Sequence, residues 1–323
     1  MFEPPKIIET TVFARLPDKY RLTGKQTEWL KLQRRGENLH SFLEGPSFDR
    51  AGNLYVVDVP FGRIFRISPD GTFDLVIEYD GEPNGLKIHR DGRIFIADHK
   101  NGILALDPHR GDLLTVVDRS QIEDFKGPND LVFSSSGDLY FTDQGQTGMQ
   151  DASGKVYRLR ANGALEKVLD GIPSPNGVVL DSKETTIFIA VTRGNCVWRA
   201  PMLLDGSVSK VGVFIQMSGG VGPDGMAMDA AGTIWVAIWG GCGVGGFNSL
   251  TGVMEHWISL PVPQVSSCAF VGSKLDHLLI TTARKEMDNQ QLADYPDSGH
   301  TFLAKMDVPG LPTYDCRLPI RLP

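Results

Sequence analysis

With 323 residues, 41% of them hydrophobic and 22% charged, the chain can bury a large core and has the composition of an ordinary globular protein. A formal charge of -7 with no long basic run argues against nucleic acid as a partner and suits a site that holds a cation. No run of about 18 apolar residues offers a membrane span, the start Met1-Phe2-Glu3-Pro4-Pro5-Lys6 lacks the regions of a secretory signal, and the chain reads as cytoplasmic.

Residues 6–16 are β-branched and half alternating, the pattern of a strand detached from the repeated units further along. Residues 17–43 read as a connecting insert. Its stretch 20–41, rich in Lys, Arg and Gln around Trp29, Leu30 and Leu32, has a helix-like look and is expected to be solvated. A lid offering Arg34 or Arg35 to an anionic substrate is the alternative.

From residue 44 one motif recurs. Glu44-Gly45-Pro46 precedes Tyr55 by eleven residues, and the same interval leads from Asn84, Asn129 and Asp224 to Phe95, Tyr140 and Trp235. Asn176 opens a copy with an interval of twelve, and Ser266-Ser267-Cys268 opens a worn one. Each copy continues through apolar strands and Asp-Gly or Asn-Gly hairpin signals such as Asp70-Gly71 and Asn162-Gly163. Four short strands in a unit of roughly 40 to 48 residues make a propeller blade, which cannot bury its apolar face without neighbours. The expected fold is therefore all-β: one six-bladed β-propeller domain over residues 1–323. The ring should close through residues 6–16 as the outer strand of the last blade, against residues 300–306, covering two free edges. An extra loop at 286–299 interrupts the sixth unit, and the proline-rich tail from Pro309 is expected to be irregular. No amphipathic helix is evident after residue 41, which weighs against a parallel α/β fold.

First strands of propeller blades line the central channel, so residues in one phase become neighbours. Glu44, Asn129, Asn176 and Asp224 then point oxygen atoms at one spot, with Asn84 and Ser267 at the same opening. Two carboxylates and two amides suit a hard divalent cation. Calcium matches best, and magnesium, manganese, zinc and ferrous iron stay open. Asn-Gly and Asp-Gly are also common turn dipeptides. A turn repeat explains neither the Glu in blade one nor Asp130, which stands where other copies have Gly. The four cysteines, Cys196, Cys242, Cys268 and Cys316, form no CxxC pair and read as buried free thiols. The Gly-rich run after Trp239 reads as packing and a turn.

Together, Glu44-Gly45-Pro46, Asn129-Asp130, Pro175-Asn176-Gly177, Pro223-Asp224-Gly225-Met226 and Ser266-Ser267-Cys268-Ala269-Phe270 resemble the gluconolactonase and senescence-marker-protein (regucalcin) family of six-bladed propellers. The resemblance runs from Lys6 to about Met306. It implies a divalent cation held by Glu44, Asn129, Asn176 and Asp224, and hydrolysis of sugar lactones as the activity. Animal members carry an Arg three residues before the position of Asp130, where this chain has Gly127 beside Lys126, so the particular lactone stays open. The expected reaction is metal-assisted attack of water on the lactone carbonyl, with Asp130 as general base and Asp224 as the competing assignment. Asn84, His99, Asn129 and Ser267 are the candidate substrate contacts. An organophosphate hydrolase of the diisopropyl fluorophosphatase kind and a non-catalytic calcium-binding propeller are the alternative functions.

Overall fold

In the computed structural model, which describes residues 3–34, 39–119, 123–218 and 222–312, the repeats become six antiparallel sheets. The inner strands are Leu43–Phe48, Pro83–Ile88, Pro128–Phe133, Pro175–Leu180, Gly222–Met228 and Val265–Val271. Each touches the next around the axis, and the sixth touches the first. The result is the expected six-bladed propeller. Its apolar residues gather into clusters between adjacent blades, such as Val57, Ile64, Leu86, Ile96 and Leu104 between blades one and two. Blade faces meet only by burying such side chains, so the ring is held by its seams.

The phased polar residues owe their direction to a shared irregularity. All six inner strands slip register where the motif falls, between Glu44 and Ser47, Pro83 and Gly85, Pro128 and Leu131, Pro175 and Val178, Pro223 and Met226, and Val265 and Ser267. A bulge re-aims a side chain that strict alternation would send elsewhere. The Asn-Gly pairs at these positions are therefore not hairpin turns. A Cβ on Gly85 would lie 2.6 Å from the Asn129 carbonyl oxygen, and one on Gly177 2.5 Å from that of Asp224. Glycine lets successive inner strands approach near the axis.

Ring closure differs in part from expectation. Thr11–Ala14 is the outer strand of blade six, antiparallel to Thr301–Lys305 with Val12 opposite Phe302. Lys6–Ile8, expected in the same strand, instead adds a fifth strand to blade five, parallel to Met254–Ser259. The two residues between, Glu9 and Thr10, cross from one blade to the other, and Thr10 Oγ1 donates to the Ser259 carbonyl at 2.9 Å.

The connecting insert is not simply solvated. It forms a helix, Glu28–Arg34, whose Trp29 and Leu30 are 3% and 0% exposed against blade one. The side chain of Arg34 and the whole of Arg35 lie outside the described residues, so the lid contact expected of them is not addressed. Loop 286–299 contains a short helix, Asn289–Asp294, capped by a capping box from Asp288; it buries no residue and so is not the amphipathic kind whose lack after residue 41 weighs against a parallel α/β fold. No helix among the described residues is long and apolar enough to cross a membrane. Of the cysteines, Cys196 and Cys268 are buried, Cys242 is half-buried, and Cys316 lies outside the described residues.

Candidate functional site

At one end of the channel the inner strands open into a cavity of about 470 Å³. Glu44, Asn84, Asn129, Asn176 and Asp224 line it, so five of the six phased positions converge. Backbone ties hold the floor in place. Asp58, Asp98 and Asp143, each ending a second strand, accept from the N–H of Phe42, Glu82 and Gly127. Each of those donors lies two residues before its ring residue. Asp58 also forms a buried ion pair with Arg63, which counters the burial that pushes its carboxyl up to about 6.

The sixth position and Asp130 do not line the cavity. Ser267 sits beneath Gly225 of blade five, where a Cβ would strike its hydroxyl. Asp130 faces the next blade: its Oδ1 accepts from Leu131 N at 2.8 Å, its Oδ2 from Val178 N at 3.2 Å, and Lys87 Nζ lies 3.7 Å from Oδ1. Where blades one, two, four and five use Gly to bring strands together, blade three uses this carboxylate to join blade four.

The floor is electrostatically tense. Burial, then Asp224, drives the Glu44 carboxyl well above the usual range. Burial also drives Asp224 up to about 7, despite the Asn176 amide and the positive charge of Lys285, which pull it down. Asn129 donates its Nδ2 to Gln144 Oε1 at 2.9 Å, leaving its buried Oδ1 without a partner. Gln144 in turn donates to Ser174 Oγ at 2.9 Å. Among the described residues no group of three or more His, Cys, Asp or Glu side chains is placed to hold a metal. A donor set of two carboxylates and two amides, Glu44, Asp224, Asn129 and Asn176, is the one the cavity offers. It fits a hard cation, because the two buried carboxylates, both held above the usual range, and the orphaned amide oxygen are all oxygen donors.

The walls come from the loops that follow the second strands, together with the insert. His99 belongs to blade two; burial, then Lys285, pulls its imidazole down to about 4, and its Nε2 is buried without a partner. Arg193 comes from blade four, Trp239 from blade five, and Lys285 and Glu286 from blade six. The Lys285 ammonium lies 4.8 Å from the ring centre of Trp29, 5.6 Å from that of Phe42 and 6.0 Å from that of Trp239. Trp239 Nε1 donates to Glu286 Oε2 at 3.1 Å. Sequence alone gives no site role to Trp29, Gln144, Arg193 or Lys285 and reads Trp239 as packing. The usable signal is the repeat itself, since four of these five end or follow the second strand of their blade. Lys126, singled out beside Gly127, is exposed and does not line the cavity.

A second cavity, of about 230 Å³, is lined by later residues of the same inner strands, including Phe48, Val132, Val179, Met226, Met228 and Phe270.

Residues 42–284 match the family model described as the SMP-30/Gluconolactonase/LRE-like region. Lactonase drp35 of Staphylococcus aureus strain MW2 is 30% identical over 226 residues, 66% of this chain and 67% of that protein. Regucalcin from Agrobacterium tumefaciens, described as a calcium-binding protein, superposes with a TM-score of 0.77 at 22% identity, covering 99% of this chain and all of the other. A gluconolactonase from Xanthomonas campestris gives a TM-score of 0.69 at 25% identity, over 83% and 86% of the two chains. By the match over most of its length, with the phased ring at the head of its inner strands, this chain belongs to the SMP-30/gluconolactonase/LRE-like family.

Proposed function

We propose that the chain is a metal-dependent lactonase that hydrolyses a sugar lactone of the gluconolactone kind to its aldonic acid. The observation that carries this reading is the floor of the larger cavity, where two buried carboxylates with raised pKa values sit beside an unpartnered amide oxygen. The lactonase relatives support the reaction class. Glu44, Asn129, Asn176 and Asp224 would hold the cation, with calcium the expected ion. Such an ion supplies Lewis-acid stabilisation of the negative charge that develops on a carbonyl oxygen.

The chain's own groups do the rest. Water adds to the acyl carbon, the ring C–O bond breaks, and the proton lost by water ends on the released hydroxyl. Asp224 is the proton acceptor in this proposal. Asp130, first choice on sequence grounds, already accepts from two backbone N–H groups and does not line the cavity. His99, neutral above about pH 4, has a free Nε2 to bond a substrate hydroxyl, and the Asn84 amide offers a second polar contact. Trp29, Phe42 and Trp239 exclude water from one side. The test is turnover of glucono-1,5-lactone with calcium, after chelation and after calcium is restored. Activity that survives complete chelation would overturn the metal-dependent reading.

A further inference from the structure

We infer that Trp29, carried by the insert outside the repeats, is a specificity-determining residue: its Nε1–H donates to a hydroxyl of the lactone, so that the site selects hydroxylated lactones over lactones without hydroxyls. The inference rests on the lactonase reading and adds to it the group that recognises the substrate's hydroxyls.

Trp29 is 3% exposed and lines the cavity, and its Nε1 is buried without a hydrogen-bond partner. Its packing neighbours offer no acceptor. Phe42 meets the indole edge-on with ring centres 5.9 Å apart, Leu30, Leu39 and Val57 belong to the same apolar cluster, and the Lys285 ammonium, 4.8 Å from the ring centre, is itself a donor. Buried indole N–H groups usually find an acceptor. Two other tryptophans of the chain do so: Trp235 Nε1 donates to Asp229 Oδ2 at 3.0 Å and Trp239 Nε1 to Glu286 Oε2 at 3.1 Å. A wall that only excluded water would be as well made by phenylalanine, as it is at Phe42.

This donor does not stand alone. Of the ten buried side-chain polar atoms without a partner among the described residues, three belong to residues that line this cavity: Trp29 Nε1, His99 Nε2 and Asn129 Oδ1. The Asn129 oxygen is assigned to the cation, which leaves an indole N–H and an imidazole nitrogen on the wall. They are carried by neighbouring elements. Trp29 and Leu30 share an apolar cluster with Leu86, Ile94 and Ile96 of blade two, and His99 follows the second strand of that blade, its backbone N–H bonded to the Glu82 carbonyl at 2.9 Å. An indole only donates, a ring nitrogen of neutral imidazole can accept, and a hydroxyl does both. The hydroxyls of a sugar lactone can satisfy the two wall groups together. A lactone without hydroxyls leaves both unpaired in a buried place, where discrimination by hydrogen bonding is steep. Because this donor comes from the insert and the floor comes from the repeats, selection and reaction are assigned to different parts of the chain.

The experiment measures kcat and KM on the calcium-loaded protein for glucono-1,5-lactone and for δ-valerolactone, the same ring without hydroxyls, in the wild type, Trp29→Phe and Phe42→Leu. The readout is the ratio of the two kcat/KM values within each preparation, in which folded fraction and metal loading cancel. Trp29→Phe keeps an aromatic wall and removes the N–H; it should lower the ratio roughly threefold to tenfold, mostly through the KM of the hydroxylated lactone. Phe42→Leu loosens the same wall without removing a polar atom and should move both lactones together. An unchanged ratio in Trp29→Phe, or an equal fall in Phe42→Leu, overturns the inference. A second measurement needs no turnover: in protein carrying isotope-labelled tryptophan, saturating gluconate should shift the indole N–H resonance that Trp29→Phe deletes. A resonance that stays in place at saturation overturns the inference as well. Calcium-dependent turnover of glucono-1,5-lactone alongside either result leaves the lactonase reading standing, whereas no turnover of any lactone removes both.

Discussion

The two ends of the central channel are made by the same six strands and differ in almost every property. At the head of each strand a bulge turns polar side chains into a cavity of about 470 Å³, whose carboxylates are held away from their ordinary pKa values. A few residues further on, the strands enclose a smaller space where Val, Met and Phe side chains join Lys87, Ser134, Asp181 and Glu184 in the walls. One end stores electrostatic strain and the other relieves hydrophobic exposure. Placing both on one strand lets the stability of the apolar end offset the cost of the polar end.

The sharpest test of that division is removal of the floor carboxylates. Asp224→Asn and Glu44→Gln should each lower kcat/KM by roughly a thousandfold and abolish calcium binding in calorimetry. The metal-free variants should melt no lower than metal-free wild type, because a crowded buried charge has gone. A large loss of stability would mean that the polar end also holds the fold.

Phe270→Ala is the converse experiment at the apolar end. It should cost about 3–5 kcal/mol in denaturant unfolding, with kcat/KM of the folded fraction unchanged. A fall in kcat/KM would break the separation of the two ends.

Gln144→Leu removes the group that accepts from Asn129 and should weaken calcium affinity by about tenfold to a hundredfold, measured by titration calorimetry. Unchanged affinity would show that Asn129 needs no such support.

A smaller effect concerns protons. Burial, with Arg284 and Arg21 nearby, pulls His40 down to about 4, and burial with Arg15 and Arg21 does the same to His300. The unfolded chain protonates histidine near pH 6.5. Stability from keeping these rings neutral is therefore complete above that pH and is lost as the pH falls toward 4. Hydrogen exchange at pH 5 should loosen the seam between blades six and one before the apolar end. Met228→Leu, a swap of similar volume, should change stability by less than about 1.5 kcal/mol and turnover not at all.

The blade count and the phase of the ring are legible in the sequence because the repeat places Glu44, Asn84, Asn129, Asn176 and Asp224 at the same step of similar units. The reason for the glycines is not, because Gly85 and Gly177 answer to backbone on the neighbouring blade, about 45 residues away in sequence. Asp130 departs from the repeat and so invites a chemical role, yet its second partner, Val178 N, belongs to blade four. The wall is hidden for a different reason. His99, Arg193, Trp239 and Lys285 share a place in the fold without sharing a residue type, so no motif marks them. Trp29 reaches the site from outside the repeat.

The N-terminal segment carries a consequence for how the molecule is made. Lys6–Ile8 and Thr11–Ala14 are synthesised well before their partners, Met254–Ser259 and Thr301–Lys305, and Lys6 pairs at 2.6 Å with Asp307. These two strands must wait, unpaired, until blades five and six have been made. Closure of the ring is then a late and slow event of high contact order, and until it happens the outer edges of blades five and six stay open to strands of other chains. Joining the ends and opening the chain between two other blades would make the closing strands neighbours in time as well as in space.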